Sequence, residues 1–356
     1  MRIRAGWIGA AGAVAAAVAV GLFPLPADAH GGGSTYQQVN LVSDQPGVAA
    51  LTDPDLVNAW GMSHGPNTPV WVSNNGSDNA TLYRTDTPGS PVTKQGLVVS
   101  IPGAAPTGQV FNDTAAFAVP GTNAKALFIF AGESGDVFAW NMGAGTTAVN
   151  VGHTDGAVYK GLTLAHSPFG PLLLAANFHD NRIDVFDGSF QPVVDSRLFH
   201  DPFLPRGYAP FNVAEIGNQV YVTYAKQDAD REDDVDGQGH GFVDVFTNFG
   251  AFEHRLVSRG VLDSPWGLTI APAGFGEFSG DLLVGNFGDG RIHAFDPNNG
   301  HLRGTLTDSK HKPIVIHGLW GLIVGDPAAG GADSLWFSAG PGFEAHGLLG
   351  LLRVNS

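Results

Sequence analysis

Trp266-Gly267-Leu268-Thr269, Leu282-Leu283-Val284-Gly285-Asn286-Phe287 and Gly290-Arg291-Ile292-His293-Ala294-Phe295-Asp296 decide the fold. Each is a short apolar run ending near Gly, Asn or Asp, which reads as a strand followed by a tight turn. The same three-part statement stands upstream as Lys160-Gly161-Leu162-Thr163, Leu172-Leu173-Leu174-Ala175-Ala176-Asn177 and Asn181-Arg182-Ile183-Asp184-Val185-Phe186-Asp187. It stands again as Trp60-Gly61-Met62-Ser63, Val70-Trp71-Val72-Ser73-Asn74-Asn75-Gly76 and Ala80-Thr81-Leu82-Tyr83. One unit of three or four strands cannot cover both faces of its own sheet. Copies must therefore stack, and a ring of stacked sheets is a propeller.

An aromatic-Gly or similar pair marks the innermost strand of each unit. The anchors are Trp60, Phe117, Lys160, Phe211, Trp266 and Trp320. Their spacing, about 43 to 57 residues, is that of a four-stranded blade. The second unit diverges most, with Thr114-Ala115-Ala116-Phe117-Ala118-Val119 as its expected inner strand. The last unit reaches Arg353-Val354-Asn355-Ser356 with no room for an outer strand. Tyr36-Gln37-Gln38-Val39-Asn40-Leu41-Val42 is spare, and pairing it there would remove two exposed sheet edges. The expectation is an all-β, six-bladed β-propeller over 36–356, closed by an N-terminal strand that completes the last blade.

The first residues read as an address. Arg2 and Arg4 precede an apolar run from Trp7 to Phe23, and Ala27-Asp28-Ala29 is a small-x-small cleavage signal. A signal peptide over 1–29, a flexible leader over 30–35 and an exported, extracellular domain follow. His30 would become the mature N-terminus, in a run of three glycines that cannot fix a ligand geometry. No second stretch is long enough to span a bilayer. Cysteine is absent, which removes disulfides, thiol nucleophiles and thiolate metal sites. The net charge of −15 argues against nucleic acid and anionic lipid as partners.

The stretches Asn177 to Phe186 and Asn286 to Phe295 resemble NHL-type repeats, with a polar turn before Arg-Ile-x-x-Phe. The chain after residue 36 resembles an uncharacterised secreted bacterial family related to NHL-repeat and senescence-marker-protein-like six-bladed propellers. Ser43-Asp44-Gln45-Pro46-Gly47, Tyr208-Ala209-Pro210-Phe211-Asn212, Tyr224-Ala225-Lys226-Gln227-Asp228-Ala229 and Ala271-Pro272-Ala273-Gly274-Phe275-Gly276 carry that resemblance. It implies fold and export, and it implies no reaction.

In a propeller the starts of first strands and the ends of second strands meet on one central face. That places Asn58, Asn74, Glu133, Asn177, His179, Asn212, Lys226, Asn286 and His317 together. Carboxamide oxygens with a carboxylate make a hard-oxygen site of the kind calcium takes, and the expected set is Asn58, Glu133, Asn177, Asn212 and Asn286. The arrangement is similar in kind to the channel calcium of six-bladed lactonases and phosphotriesterases. Each Asn also suits a turn in its own right. His179 and His317 are the candidate proton handlers, with imidazole titrating near about 6.5. Asn74, Lys226, Trp266 and Trp320 complete the ligand face, although inner-strand aromatics also pack between blades. The acidic loop Asp228–His240 lacks calcium-loop spacing and reads as solvated. The expected function is binding a small molecule, a carbohydrate or an extracellular partner at this face, by a monomer. A calcium-dependent hydrolase or lactonase is the alternative.

Overall fold

The computed structural model describes residues 33–85 and 90–355. The expected signal peptide and its cleavage site lie outside the described residues. The described fold begins at Ser34, two residues before the expected start. Ser34 Oγ accepts the Glu277 amide, and Thr35 is bonded to Asn355 through backbone and side chain. Among the described residues there is no α-helix, and no helix is long and apolar enough to cross a membrane.

Six sheets, antiparallel except where Val42 and Ser43 pair parallel with Leu51 and Thr52, follow one another along the chain as the blades of a propeller. Their inner strands are Ala59–Ser63, Pro106–Phe111, Tyr159–Ser167, Tyr208–Ile216, Pro265–Ile270 and Leu319–Val324. An apolar layer fills the gap between each pair of neighbouring blades. Ile129 and Val137 of the second blade, for example, share one layer with Leu162 and Leu173 of the third. The ring closes as expected. Tyr36–Ser43 pairs antiparallel with Leu348–Val354, setting Tyr36 opposite Val354. Tyr36 is buried against Phe275 and Phe278 and donates its hydroxyl to Phe275 O at 3.0 Å.

The second blade corrects the reading of its anchor. Its inner strand is Pro106–Phe111, and the anchoring pair is Thr107-Gly108 rather than Phe117. Phe117 is buried beside Phe190, just before a small hairpin of Ala118–Val119 and Ala124–Lys125. The aromatic was the wrong cue and the glycine the right one. A methyl group on Gly61 would overlap Thr107 O, and one on Gly108 would overlap Leu162 N. Glycine there lets neighbouring inner strands approach each other. The third blade has three strands. Its would-be fourth starts with a bridge from Phe186 to Pro192 and then leaves the sheet.

All six inner strands also carry a register shift at or beside the anchor, as between Tyr159 and Gly161 or Pro265 and Gly267. Such a bulge re-aims one side chain. The aromatic anchors Trp60, Phe211, Trp266 and Trp320 thus form one buried cluster in the middle of the ring, with Phe178. Trp60 and Trp320 stack with ring centres 3.5 Å apart, and Trp266 meets both edge-on. This plug divides the channel into two ends.

Candidate functional site at the hub

Five of the six anchors are Trp, Phe or Thr; the third is Lys160. The bulge that buries an aromatic elsewhere buries an ammonium here, and Lys160 is 2% exposed. Its Nζ lies 5.4 Å from the centre of the Trp60 ring, within cation–π range. It is ion-paired with Glu133 Oε1 and with Asp233 Oδ1, the latter at 3.1 Å. Asp233 comes from the acidic loop. That loop is tied down by Val235 N to Lys226 O at 2.8 Å and Gly237 N to Asp263 Oδ1 at 2.6 Å. The segment read as solvated therefore reaches the hub.

A chain of side chains continues from Glu133. Asn75 donates to Glu133 Oε2 at 3.0 Å, and Asn58 donates to Asn75 Oδ1 at 3.2 Å and to Glu344 Oε2 at 2.6 Å. Asn58 Oδ1 accepts Trp320 Nε1 at 3.0 Å. Asn58, Phe343 and Glu344 all have left-handed backbone, with φ of 48°, 57° and 65°. Asn tolerates this conformation, but a bulky residue pays in strain, and such strain concentrates at functional sites. Asn58, Glu133 and Lys160 come from three blades, and Asp233 and Glu344 from two more. Only ring closure brings them together.

Burial alone would lower the Lys160 ammonium, but Glu133 and Asp233 overrule it and hold it above its ordinary value. Burial raises Glu344, against the pull of Asn58 and Lys160. Burial likewise pushes Asp234, next along the acidic loop, up to about 6. The hub thus gathers one ammonium, two carboxylates bonded to it and two carboxyls that burial makes less acidic.

The other expected site residues go elsewhere. Asn177 donates within its own hairpin to Asp180 at 3.2 Å and Asp184 at 2.8 Å. Asn286 donates to Asp289 of its own hairpin at 3.0 Å and to Val261 O, ahead of its blade's inner strand, at 2.9 Å. Asn212 stands where most inner strands have glycine; its carboxamide lies over Gly161 and donates to Trp266 O at 2.8 Å. Asn74 is buried against Asn79 and Thr81. Trp266 and Trp320 are buried in the plug. His179 Nε2 lies 3.3 Å from Arg231, His317 is exposed, and Lys226 is half-buried beside the acidic loop. Of the five expected calcium ligands, the hydrogen-bond chain joins Asn58 and Glu133.

That donor set does not fit a calcium ion. The positive charge among the carboxylates is the chain's own Lys160, and the remaining carboxamides serve turns and blade contacts. Among the described residues no group of three or more His, Asp or Glu has metal-holding geometry. The residues missed by the sequence reading are Lys160 as a site residue, Asp233, Asp234 and Glu344.

No family model matches the chain. The uncharacterised protein R648 of Acanthamoeba polyphaga mimivirus is 35% identical over 332 residues, covering 89% of this chain and 80% of the viral one. The uncharacterised protein L690 of the same virus is 34% identical over 342 residues, covering 90% and 86%. The chain belongs to their family. Both of these relatives are viral and uncharacterised. The fold is also that of solved propellers. An α-L-arabinanase of Penicillium chrysogenum, complexed with arabinobiose, gives a TM-score of 0.54 at 13% identity, covering 89% of this chain and 98% of that one. An α-L-arabinofuranosidase of Fusarium graminearum gives 0.54 at 11%, covering 90% and 98%. A protein of unknown function from Bacteroides thetaiotaomicron gives 0.51 at 12%, covering 90% and 73%. At such identities the likeness concerns fold alone.

Proposed function

We propose that this protein is an exported propeller that binds a neutral, hydroxyl-rich small molecule at the hub, beside Lys160 and under the acidic loop. The observation that carries the reading is the burial of Lys160 between Glu133 and Asp233. Removing an ammonium from water costs several kcal/mol, and a hydrophobic residue of similar volume serves stability as well or better. The other anchors show that an aromatic fits this place in the ring. Polar groups retained at the centre of a rigid scaffold, with shifted acidities, mark a functional site. The ligand class follows from the donors and acceptors. Carboxamides and carboxyls from four blades pair well with hydroxyls, whereas a second cation would meet Lys160 and an anion would meet the carboxylates. Export is supported by Arg2, Arg4, the apolar run and Ala27-Asp28-Ala29. Calcium has no part in this reading.

The test is ligand-observed NMR of the full chain with a panel of monosaccharides and polyols. Saturation transfer to at least one of them, lost in Asn75→Ala, is expected. Absence of transfer to every compound, or transfer unchanged in the variant, overturns the reading.

One observation favours hydrolysis as a second reading. Burial raises Glu344, while Glu133 is bonded to an ammonium. Carboxyls pushed apart in acidity are how acid and base roles are divided. If the bound molecule is a glycoside or ester that the protein cleaves, Glu344→Gln should abolish turnover and leave binding in place. Full turnover by that variant would remove this reading.

A further inference from the structure

The plug leaves a second opening, on the face opposite the hub. There the channel holds a cavity of about 360 Å³ whose floor includes Trp266 and Asn212. All six inner strands contribute to its wall, in which Met62, Val110, Leu164, Val213, Leu268 and Leu322 outweigh Ser63, Gln109 and Thr163. A volume in this range is that of a small-molecule pocket.

The mouth is charged. His166, at the outer end of the third inner strand, is bonded through Nδ1 to Glu215 Oε2 and through Nε2 to Asp113 Oδ1, the latter at 2.9 Å. Glu215 also accepts the His166 amide at 2.8 Å. With carboxylates on both ring nitrogens, both nitrogens donate, and the ring is an imidazolium. Asp326 stands on the same rim, 3.6 Å from His64 and accepting the Asn67 amide at 2.9 Å. The His64 ring is turned to the carbonyls of Val324 and Gly65. Lys125 is held on the carbonyls of Asn112 and Thr114, flanking Asp113. His166 and Lys125 thus offset two of the three rim carboxylates, leaving the mouth with a net charge of one carboxylate. Asp113, whose side chain is 58% exposed, is the accessible one.

We propose that this channel is a second binding site, which takes a molecule with a slender apolar body and a single ammonium head. The body enters the apolar shaft and the head stays at the rim against Asp113. The acidic mouth disfavours the same body carrying a carboxylate. The site is separate from the hub, because the aromatic plug lies between them.

Calorimetric titration of the full chain with hexyltrimethylammonium, tetramethylammonium and hexanoate tests this. Saturable one-to-one binding of the hexyl cation is expected, with affinity rising about fourfold per added methylene until the shaft is full. Tetramethylammonium and hexanoate should bind far more weakly. Asp113→Asn, on the surface, should weaken the hexyl cation about fivefold, as loss of an exposed charge does. A Cβ at Gly108 would collide with Leu162 N, so the mutational control is Asn75→Ala at the hub, which should leave this binding unchanged. Hexanoate binding as well as the cation, no dependence on chain length, or no saturable binding at all would overturn the proposal.

Discussion

Lys160 shows how one residue sets the character of a hub. The sequence displays it as the odd member of a series in which Trp60, Phe211, Trp266 and Trp320 hold equivalent places. That oddity was the available signal. A lysine placed where its equivalents are buried aromatics must itself be buried, and a buried ammonium needs carboxylates. Which carboxylates those are was not legible. Glu133 lies at a second-strand end and could be expected near the centre. Asp233 and Glu344 arrive from loops whose paths depend on long-range contacts. The two partners of Lys160 should differ sharply on mutation. Glu133→Gln leaves the ammonium buried with one distant-reaching partner and should cost about 3 kcal/mol. Asp233 is 74% exposed, so Asp233→Asn should cost about 1 kcal/mol or less. Urea unfolding of the two variants measures both, and equal costs would mean that Asp233 is no mere cap on the pair.

Among the elements, the inner strands were legible and the loops were not. The recurrent glycines mark where strands crowd, and Gly108 marks the second blade correctly where Phe117 misleads. The carboxamides at strand ends signalled turns in Asn177 and Asn286, which each bond to an aspartate of their own hairpin, and a site residue in Asn58. Nothing local distinguishes those outcomes, because the difference lies in what the opposite blade presents. The acidic loop and the fourth blade also determine how stability responds to pH. Burial pushes Asp234 up to about 6 and Asp244 up to about 7, the latter despite Arg255 and aided by Asp201. A carboxyl raised on folding contributes stability that is whole below its unfolded value and is lost as pH climbs through its folded value. His166, raised chiefly by its bond to Glu215, acts in the same direction. His293, buried and lowered to about 4, opposes them in part: its contribution is whole above its ordinary value and is lost progressively as pH falls from there to about 4. The thermal midpoint should therefore fall between about pH 5 and about pH 8, and fall less in Asp244→Asn. A midpoint that rises over this range would contradict the assignment of these groups as buried.

At the scale of the whole molecule the sequence spoke most clearly. Repetition alone required a ring, and the mismatch between a last unit short of a strand and a spare strand at the front required closure. The pairing of Tyr36–Ser43 with Leu348–Val354 joins the two ends of the fold, so no sheet edge is left between the last blade and the first. Tyr36 anchors that strand. Tyr36→Ala removes a buried ring and a hydroxyl bond and should cost about 3–5 kcal/mol. Loss of the strand's anchor should also open the ring, detectable as faster amide exchange along Leu348–Val354. Unchanged exchange there would show that the last blade stands without its outer strand.

Ring and hub meet in the state of one amine. Selective 13C labelling of the lysine side chains, with Lys160→Met to assign the signal, allows the titration of Lys160 to be followed by NMR. The Lys160 signal should remain that of an ammonium above the pH at which the other lysines titrate, and Glu133→Gln should bring its midpoint down. A Lys160 that titrates with the exposed lysines, indifferent to Glu133, would contradict the hub.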